Sequence, residues 1–207
     1  MAILWSHPYT GNLPITNYVL EYKSKDFYSE GKEKVARDSV PNSVTSHIIK
    51  GLHPLTTYSI TVIAQNALGS STSCAPLSVT TDGEAPSAPP RDIKVVPLSS
   101  TSLQVTWKAP AKSAQNGPIQ GYYVGYRLHR SADDFAYKTV ETKSDDNREE
   151  SCQINDLRKL TRYIVIVQAY NKKGAGPPSE PIEAQTLEFG RSFRLTQPQK
   201  HAPNFAV

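Results

Sequence analysis

The chain has 207 residues, 38% of them hydrophobic, with 16 Pro, 11 Gly and a single Met. That composition means many turns, small cores and length for one or two domains. Lys and Arg exceed Asp and Glu by four without clustering on a motif, which argues against nucleic acid as a partner; no segment approaches 18 apolar residues, so no membrane span is expected.

Met1-Ala-Ile-Leu-Trp5 lacks the basic start, apolar run and cleavage site of a signal peptide. Ile3 and Trp5 instead fall at period two, the mark of a strand with one buried face. Trp5-x-x-Pro8 leads into a loop, and Pro14-Ile15 opens a strand carrying Tyr18, Leu20 and Tyr22. Leu52-x-Pro54-x-Thr56-x-Tyr58 begins another strand that runs to Ala64. Asn66-x-x-Gly69 is a turn, and Thr81 closes the unit.

Thr81 to Pro86 reads as a short linker stiffened by proline. Pro86-Ser-Ala-Pro89-Pro90 is extended, because the residue before a proline avoids the helical region. Ile93 and Val95, then Leu103, Val105 and Trp107, again alternate. Asn116-Gly117-Pro118 is a turn signal, followed by Ile119, Tyr122, Val124 and Tyr126. Tyr137 and Val140 suggest a short edge strand, and the polar run 144–150 a loop. Cys152, Ile154 and Leu157 precede a strand with Tyr163, Val165, Val167 and Ala169. Residues 171–178 form a loop rich in Gly and Pro, and Ile182, Ala184 and Thr186 close the second unit. Nothing after Glu188 continues the pattern, so 188–207 are expected to be a disordered tail.

The two units are copies. Trp5, Tyr18, Tyr22, Leu52, Tyr58, Ala64, Asn66, Gly69 and Thr81 recur as Trp107, Tyr122, Tyr126, Leu157, Tyr163, Ala169, Asn171, Gly174 and Thr186. The offset is 102 residues at the Trp, 104 at the tyrosines and 105 from the Leu onward. A period of about 100 residues is a domain, not a solenoid module. Seven or so short strands per copy, with no helical window, predict an all-β chain of two tandem antiparallel β-sandwiches. The expected domains are 1–82 and 86–187, joined by a proline-containing linker at 83–90. About twenty residues precede Trp107 within its copy and four precede Trp5, so the first sandwich is expected to lack its first strand and most of its second.

Cys74 and Cys152 do not occupy equivalent positions: Cys152 stands at the place of His47, and Cys74 near that of Ser179. Each copy holds one cysteine, which excludes a disulfide within a copy and predicts half-buried free thiols. The expected core anchors of the second copy are Trp107, Tyr122, Val124, Tyr126, Tyr163, Val165 and Val167.

Each Tyr six residues after a Leu reads as a tyrosine corner, its ring turned inward and its hydroxyl bonded to upstream backbone. With one Trp on the second strand and no cysteine pair, the chain resembles the fibronectin type III family over residues 1–187. Lys159 replaces the corner proline in the second copy. The strings Gly121-Tyr-Tyr-Val-Gly-Tyr126, Val167 to Pro177, and Leu13 to Lys23 resemble repeats of the Down syndrome cell adhesion molecule (Dscam) family. That resemblance implies a cell-surface adhesion receptor of the nervous system whose fibronectin repeats form a membrane-proximal stalk. It implies protein partners, including homophilic contact through the parent receptor, with this segment extracellular and not itself inserted in the membrane.

Enzymatic chemistry is not expected. His7, His47, His53, His129 and His201 share no metal-ligand spacing, and no nucleophile elbow, zincin or phosphate-loop motif occurs. Asp145, Asp146, Glu149 and Glu150 lack the alternation and Gly of a calcium loop. The expectation is therefore no catalytic, cofactor-binding or metal residues, no small-molecule substrate and no cofactor. Alternatives are an intracellular muscle-type repeat protein, favoured by unpaired cysteines and the missing glycosylation sequon, or the ectodomain of a receptor tyrosine phosphatase or kinase.

Overall fold

The computed structural model describes residues 1–10, 12–25, 33–142 and 149–189. Its first copy contains strands β1 (Ala2–Leu4), β2 (Asn17–Lys25), β3 (Glu33–Pro41), β4 (Ser46–Ile48), β5 (Thr57–Asn66), β6 (Gly69–Ser70) and β7 (Leu77–Thr80). Its second contains β8 (Arg91–Pro97), β9 (Leu103–Lys108), β10 (Ile119–Leu128), β11 (Ala136–Glu141), β12 (Glu149–Ile154), β13 (Arg162–Asn171), β14 (Gly174–Pro178) and β15 (Ile182–Gln185). Among the described residues the only helical element is one 3-10 turn at Lys112–Ala114.

Each copy divides into a large and a small sheet. In the first, β3-β2-β5-β6 form the large sheet, β7 also pairs with β5, and β1-β4 form the small one. In the second, the large sheet runs β11-β10-β13-β14 with β15 on β13, and the small one runs β12-β9-β8. The all-β, two-sandwich expectation holds. The small sheet of the first copy has two strands where the second has three, and β8 has no counterpart among the described residues.

Period-two alternation does what it should. Along β9 every other residue is buried, placing Leu103, Val105 and Trp107 in the core. Tyr122 and Val124 on β10 and Tyr163, Val165 and Val167 on β13 face them from the large sheet. Tyr126 departs from expectation: it sits half-buried towards the end of β10. The first copy's core is Ile3, Tyr18, Leu20, Val40, Ile49, Tyr58 and Ile60. In both copies the Trp packs edge-on against the Tyr of the next strand, with ring centroids 5.3 Å apart for Trp5–Tyr18 and 5.2 Å for Trp107–Tyr122.

Other expectations are corrected. Glu149 and Glu150 belong to β12, paired antiparallel with Lys108 and Trp107 on β9, because the Cys152/Ile154 alternation extends upstream. Residues 174–178 are a strand, not loop, since the Asn171–Gly174 turn is tight enough for the chain to pair back on β13. The thiols are not half-buried: Cys74 is exposed and Cys152 buried, and both are free. Asp145, Asp146, His201 and the tail beyond 189 lie outside the described residues.

The chain packs as two compact units: Met1–Pro89 with Pro110–Gly121 and Ala169–Pro177, and Pro90–Ala109 with Tyr122–Gln168 and Pro178–Val207. Residues 110–121 and 169–177 of the second copy, which take in the start of β10, the end of β13 and most of β14, group with the first unit together with the linker.

Candidate functional site

The most closely duplicated geometry is the tyrosine corner. The Tyr58 hydroxyl accepts from the His53 N–H at 2.9 Å, and the Tyr163 hydroxyl accepts from the Arg158 N–H at 2.9 Å. Between each pair a Leu stands in the left-handed region, Leu55 at φ 48° and Leu160 at φ 47°, which costs about 1–2 kcal/mol for a residue with a Cβ. A threonine holds the bend. Thr81 Oγ1 accepts from the Thr56 N–H (2.9 Å) and donates to the His53 carbonyl (2.6 Å). Thr186 Oγ1 repeats this with Thr161 (3.0 Å) and Arg158 (2.6 Å). These residues are structural. The threonines recur in the sequence, but their role becomes visible only when the closing strand is folded back on the corner.

The opposite end of each sandwich carries the loops, and here the copies differ. In the second copy, Asn171 Oδ1 accepts from the Lys173 N–H at 2.8 Å and closes the turn. Its buried NH2 group donates to the Glu84 and Gln115 carbonyls at 2.8 and 3.1 Å. Asn116 Nδ2 donates to the Ala85 carbonyl at 2.9 Å, and the Ser87 N–H to the Ala114 carbonyl at 2.8 Å. Gly176 makes room for Pro86: a Cβ there would lie 2.6 Å from the proline carbonyl oxygen. The linker is thus bonded to the loops of the copy that follows it.

In the first copy the same end is a groove of about 270 Å³, lined by Pro8, Tyr9, Thr10, Ile15, Asn66 and Leu68 among others. Asn66 Oδ1 accepts from the Leu68 N–H at 3.0 Å, as Asn171 does from Lys173. Its NH2 group has no hydrogen-bond partner among the described residues.

A third surface was not legible in the sequence. On the outer face of the second copy's large sheet, Tyr137 on β11 lies across Gly125 on β10, where an added Cβ would meet the ring at 2.7 Å. Tyr123 stands edge-on to Tyr137 at 6.5 Å, Phe135 lies 6.2 Å from Tyr137, and the Arg127 guanidinium sits 4.7 Å above the Phe135 ring. Tyr137 is 55% exposed. Aromatic and Arg side chains of this kind dominate protein–protein contacts. The four residues lie on two strands and a loop, so their cluster follows from strand pairing rather than from any local motif. In the first copy the corresponding position is Glu21, bridged to Arg37 at 2.6 Å and Lys23 at 3.0 Å. Hydrogen bonds from Arg37 and then Lys23 hold its carboxyl below the ordinary range.

Titratable groups are dispersed. Among the described residues no three His, Cys, Asp or Glu side chains could hold a metal ion. His7 Nδ1 meets the Tyr18 hydroxyl at 2.8 Å, and His47 Nε2 meets Asp38 at 2.9 Å. Burial, reinforced by the Glu150 charge, pushes the Tyr122 phenol up to about 12. Burial also raises the Cys152 thiol, which disfavours the nucleophilic thiolate. Cys74 has a structural part: its sulfur accepts from the Val62 N–H at 3.1 Å, where Ser179 Oγ accepts from Val167 at 3.0 Å.

Paired sandwiches with tyrosine corners, a core Trp against each large sheet and free cysteines define an immunoglobulin-like class without the intersheet disulfide. The fibronectin type III domain model matches residues 1–80 and 88–185, and the chain belongs to that family. It is similar to the cell adhesion molecule Dscam1 of Drosophila melanogaster, 40% identical over 189 residues, which is 91% of this chain and 9% of that protein. It is 38% identical to human DSCAM over 195 residues, 93% of this chain and 9% of that protein. The chain therefore spans about a tenth of the length of the curated relatives it matches. Among solved structures, the FN1–FN3 domains of chicken CNTN1 align over 90% of this chain and 61% of that chain, at 24% identity and a TM-score of 0.45. Among the described residues no helix is long and apolar enough to cross a membrane.

Proposed function

We propose that this chain is a non-enzymatic, extracellular segment of a neuronal cell-adhesion receptor, in which the two sandwiches act as a stalk or spacer and make contacts with other proteins. The observation that carries the reading is the 40% identity to a cell adhesion molecule over nine-tenths of the chain, through both copies. The chemistry agrees with it. The conserved geometry of the two copies sits in cores and corners, which build a fold, while the copies differ in their outer faces and loop ends, where partners bind. The residues most often used in protein contacts, two tyrosines, a phenylalanine and an arginine, gather on the outer face of the second copy. Homophilic adhesion is then a property of the parent receptor, to which this segment contributes reach and spacing.

The test is surface biotinylation of intact cells expressing the full-length parent, with detection by an antibody against this segment. Labelling of the segment on intact cells is the expected result. An exclusively cytosolic parent overturns the reading and returns the muscle-type alternative. Exchanging the two copies for two unrelated sandwiches of equal length separates spacer from binder: a spacer tolerates the exchange in a cell-aggregation assay.

A further inference from the structure

We propose that β11, the edge strand of the second copy's large sheet, pairs antiparallel with β11 of a second copy of this chain, joining the two sheets side by side about a two-fold axis at Thr139. The large sheet ends at β11, which among the described residues pairs with β10 alone. An edge strand presents a row of N–H and C=O groups to solvent and is a template for another strand. Along β11, Ala136, Tyr137, Lys138, Thr139 and Glu141 are exposed and Val140 is half-buried.

The other described edges are blunted by the devices that proteins use against such pairing. Strands β1, β4, β6, β7 and β15 are two to four residues long. Strand β3 carries Glu33, Lys34, Arg37 and Asp38 and ends on Pro41. Strand β8 is interrupted between Arg91 and Lys94, where its register shifts, and it ends on Pro97. Strand β12 opens on Glu149 and Glu150, and β14 holds Pro177 and Pro178. By contrast β11 has no proline, and its Tyr137, Thr139 and Val140 favour an extended chain. Its lysine does not guard the edge, because Lys138 Nζ turns across the sandwich and donates to the Gln153 carbonyl on β12 at 2.9 Å.

The strand's own sequence fits a second copy of itself. Pairing that extends a sheet keeps each face continuous, so residues opposite each other must point to the same face. Two such registers overlap most of β11: one sets Lys138 opposite itself, the other sets Thr139 opposite itself. The first brings like charges together across the axis, which is unfavourable. The second sets Tyr137 opposite Glu141 of the other chain and Lys138 opposite Val140, with a Thr–Thr pair on the axis. No like charges meet, and Lys138 with Glu141 leaves the strand neutral. The shared outer face then carries both aromatic clusters, each with Tyr137 over Gly125 and the Arg127 guanidinium over Phe135. A contact of this isologous kind closes after two chains. One added strand pair is a small interface, so the dimer is weak.

The test is sedimentation velocity of the 207-residue chain over a rising concentration series, with backbone amide shifts followed on the isotope-labelled chain. A reversible dimer between about 0.1 and 1 mM protein is expected, with concentration-dependent shifts along β11. Thr139→Lys and Thr139→Glu each place like charges on the axis and should weaken the dimer about threefold to tenfold. Mixed in equal amounts, the two variants should recover it, because opposite charges then face each other. That recovery also guards against a folding defect in either variant. A chain that stays monomeric over the whole series overturns the proposal. So does a dimer that neither variant weakens, or one whose shifts fall outside β11. A mixture no tighter than the separate variants overturns it as well, since Thr139 then does not lie on the axis.

Discussion

The two copies share their interior geometry and differ in how well they are sealed. Trp–Tyr spacing, corner hydrogen bonds and the left-handed Leu agree within 0.1 Å and 1° between them. Tyr58 and Tyr163 are equally buried, at 5% exposure. Yet Trp107 is fully enclosed and Trp5 is not. In the second copy the extended segment crosses the loop end and adds β8 to the small sheet, and the enclosure of Trp107 should appear as stability.

The largest expected effect tests that directly. Trp107→Ala should destabilise the second copy by about 3–5 kcal/mol, the range for deleting a large buried ring. Trp5→Ala should cost the first copy about half as much, since less apolar surface leaves water when it folds. Hydrogen exchange read by mass spectrometry separates the copies: protection should fall in β9 and β13 for one variant and in β2 and β5 for the other. Equal losses would break the comparison and show that Trp5 is as well supported as Trp107.

Next is Gly125→Ala. The added methyl would lie 2.7 Å from the Tyr137 ring and 2.9 Å from Ile166, so about 1–3 kcal/mol of overpacking is expected. Replacing Tyr137 by Ala as well should recover much of it, giving a clear coupling in a double-mutant cycle by urea denaturation. Glu21→Ala at the matching position of the first copy, where ion pairs replace aromatic packing, should have little effect on the melting temperature.

The threonines follow. Thr186 is buried and Thr81 half-buried, although their bonds are the same. Thr186→Val strands a backbone N–H away from water and should cost about 1–3 kcal/mol, whereas water can reach the site in Thr81→Val and limit the loss to about 1 kcal/mol. Thermal unfolding of the two variants checks the order.

Why some of this was legible in the sequence and some not has a physical basis. Alternation along Leu103, Val105 and Trp107 is written locally, since neighbouring side chains on a strand point to opposite faces. The tyrosine corner is also local, spanning five residues from hydroxyl to amide. The linker seat joins Glu84 to Asn171, 87 residues apart, and nothing near either residue announces it. The aromatic cluster depends on β10 and β11 meeting in one register, which brings Tyr137 over Gly125. Asn171 was visible as a repeated turn residue, but its second role as a donor to the linker required the tertiary structure.

The smallest expected effect concerns pH and belongs to the better-sealed copy. Tyr122 is neutral in its core, and its phenol ionises at about 12 rather than near 10. Between those values the unfolded chain has lost the proton and the folded chain still holds it. The unfolded state therefore binds fewer protons, and stability must fall as pH rises through this window. The contribution is complete below pH 10 and lost by about pH 12. Denaturant melts at pH 9, 10 and 11 should show the decline, and Tyr122→Phe, which has no proton to lose, should flatten it. An unchanged slope in that variant would assign the decline to other groups and remove Tyr122 from the account of what sealing does.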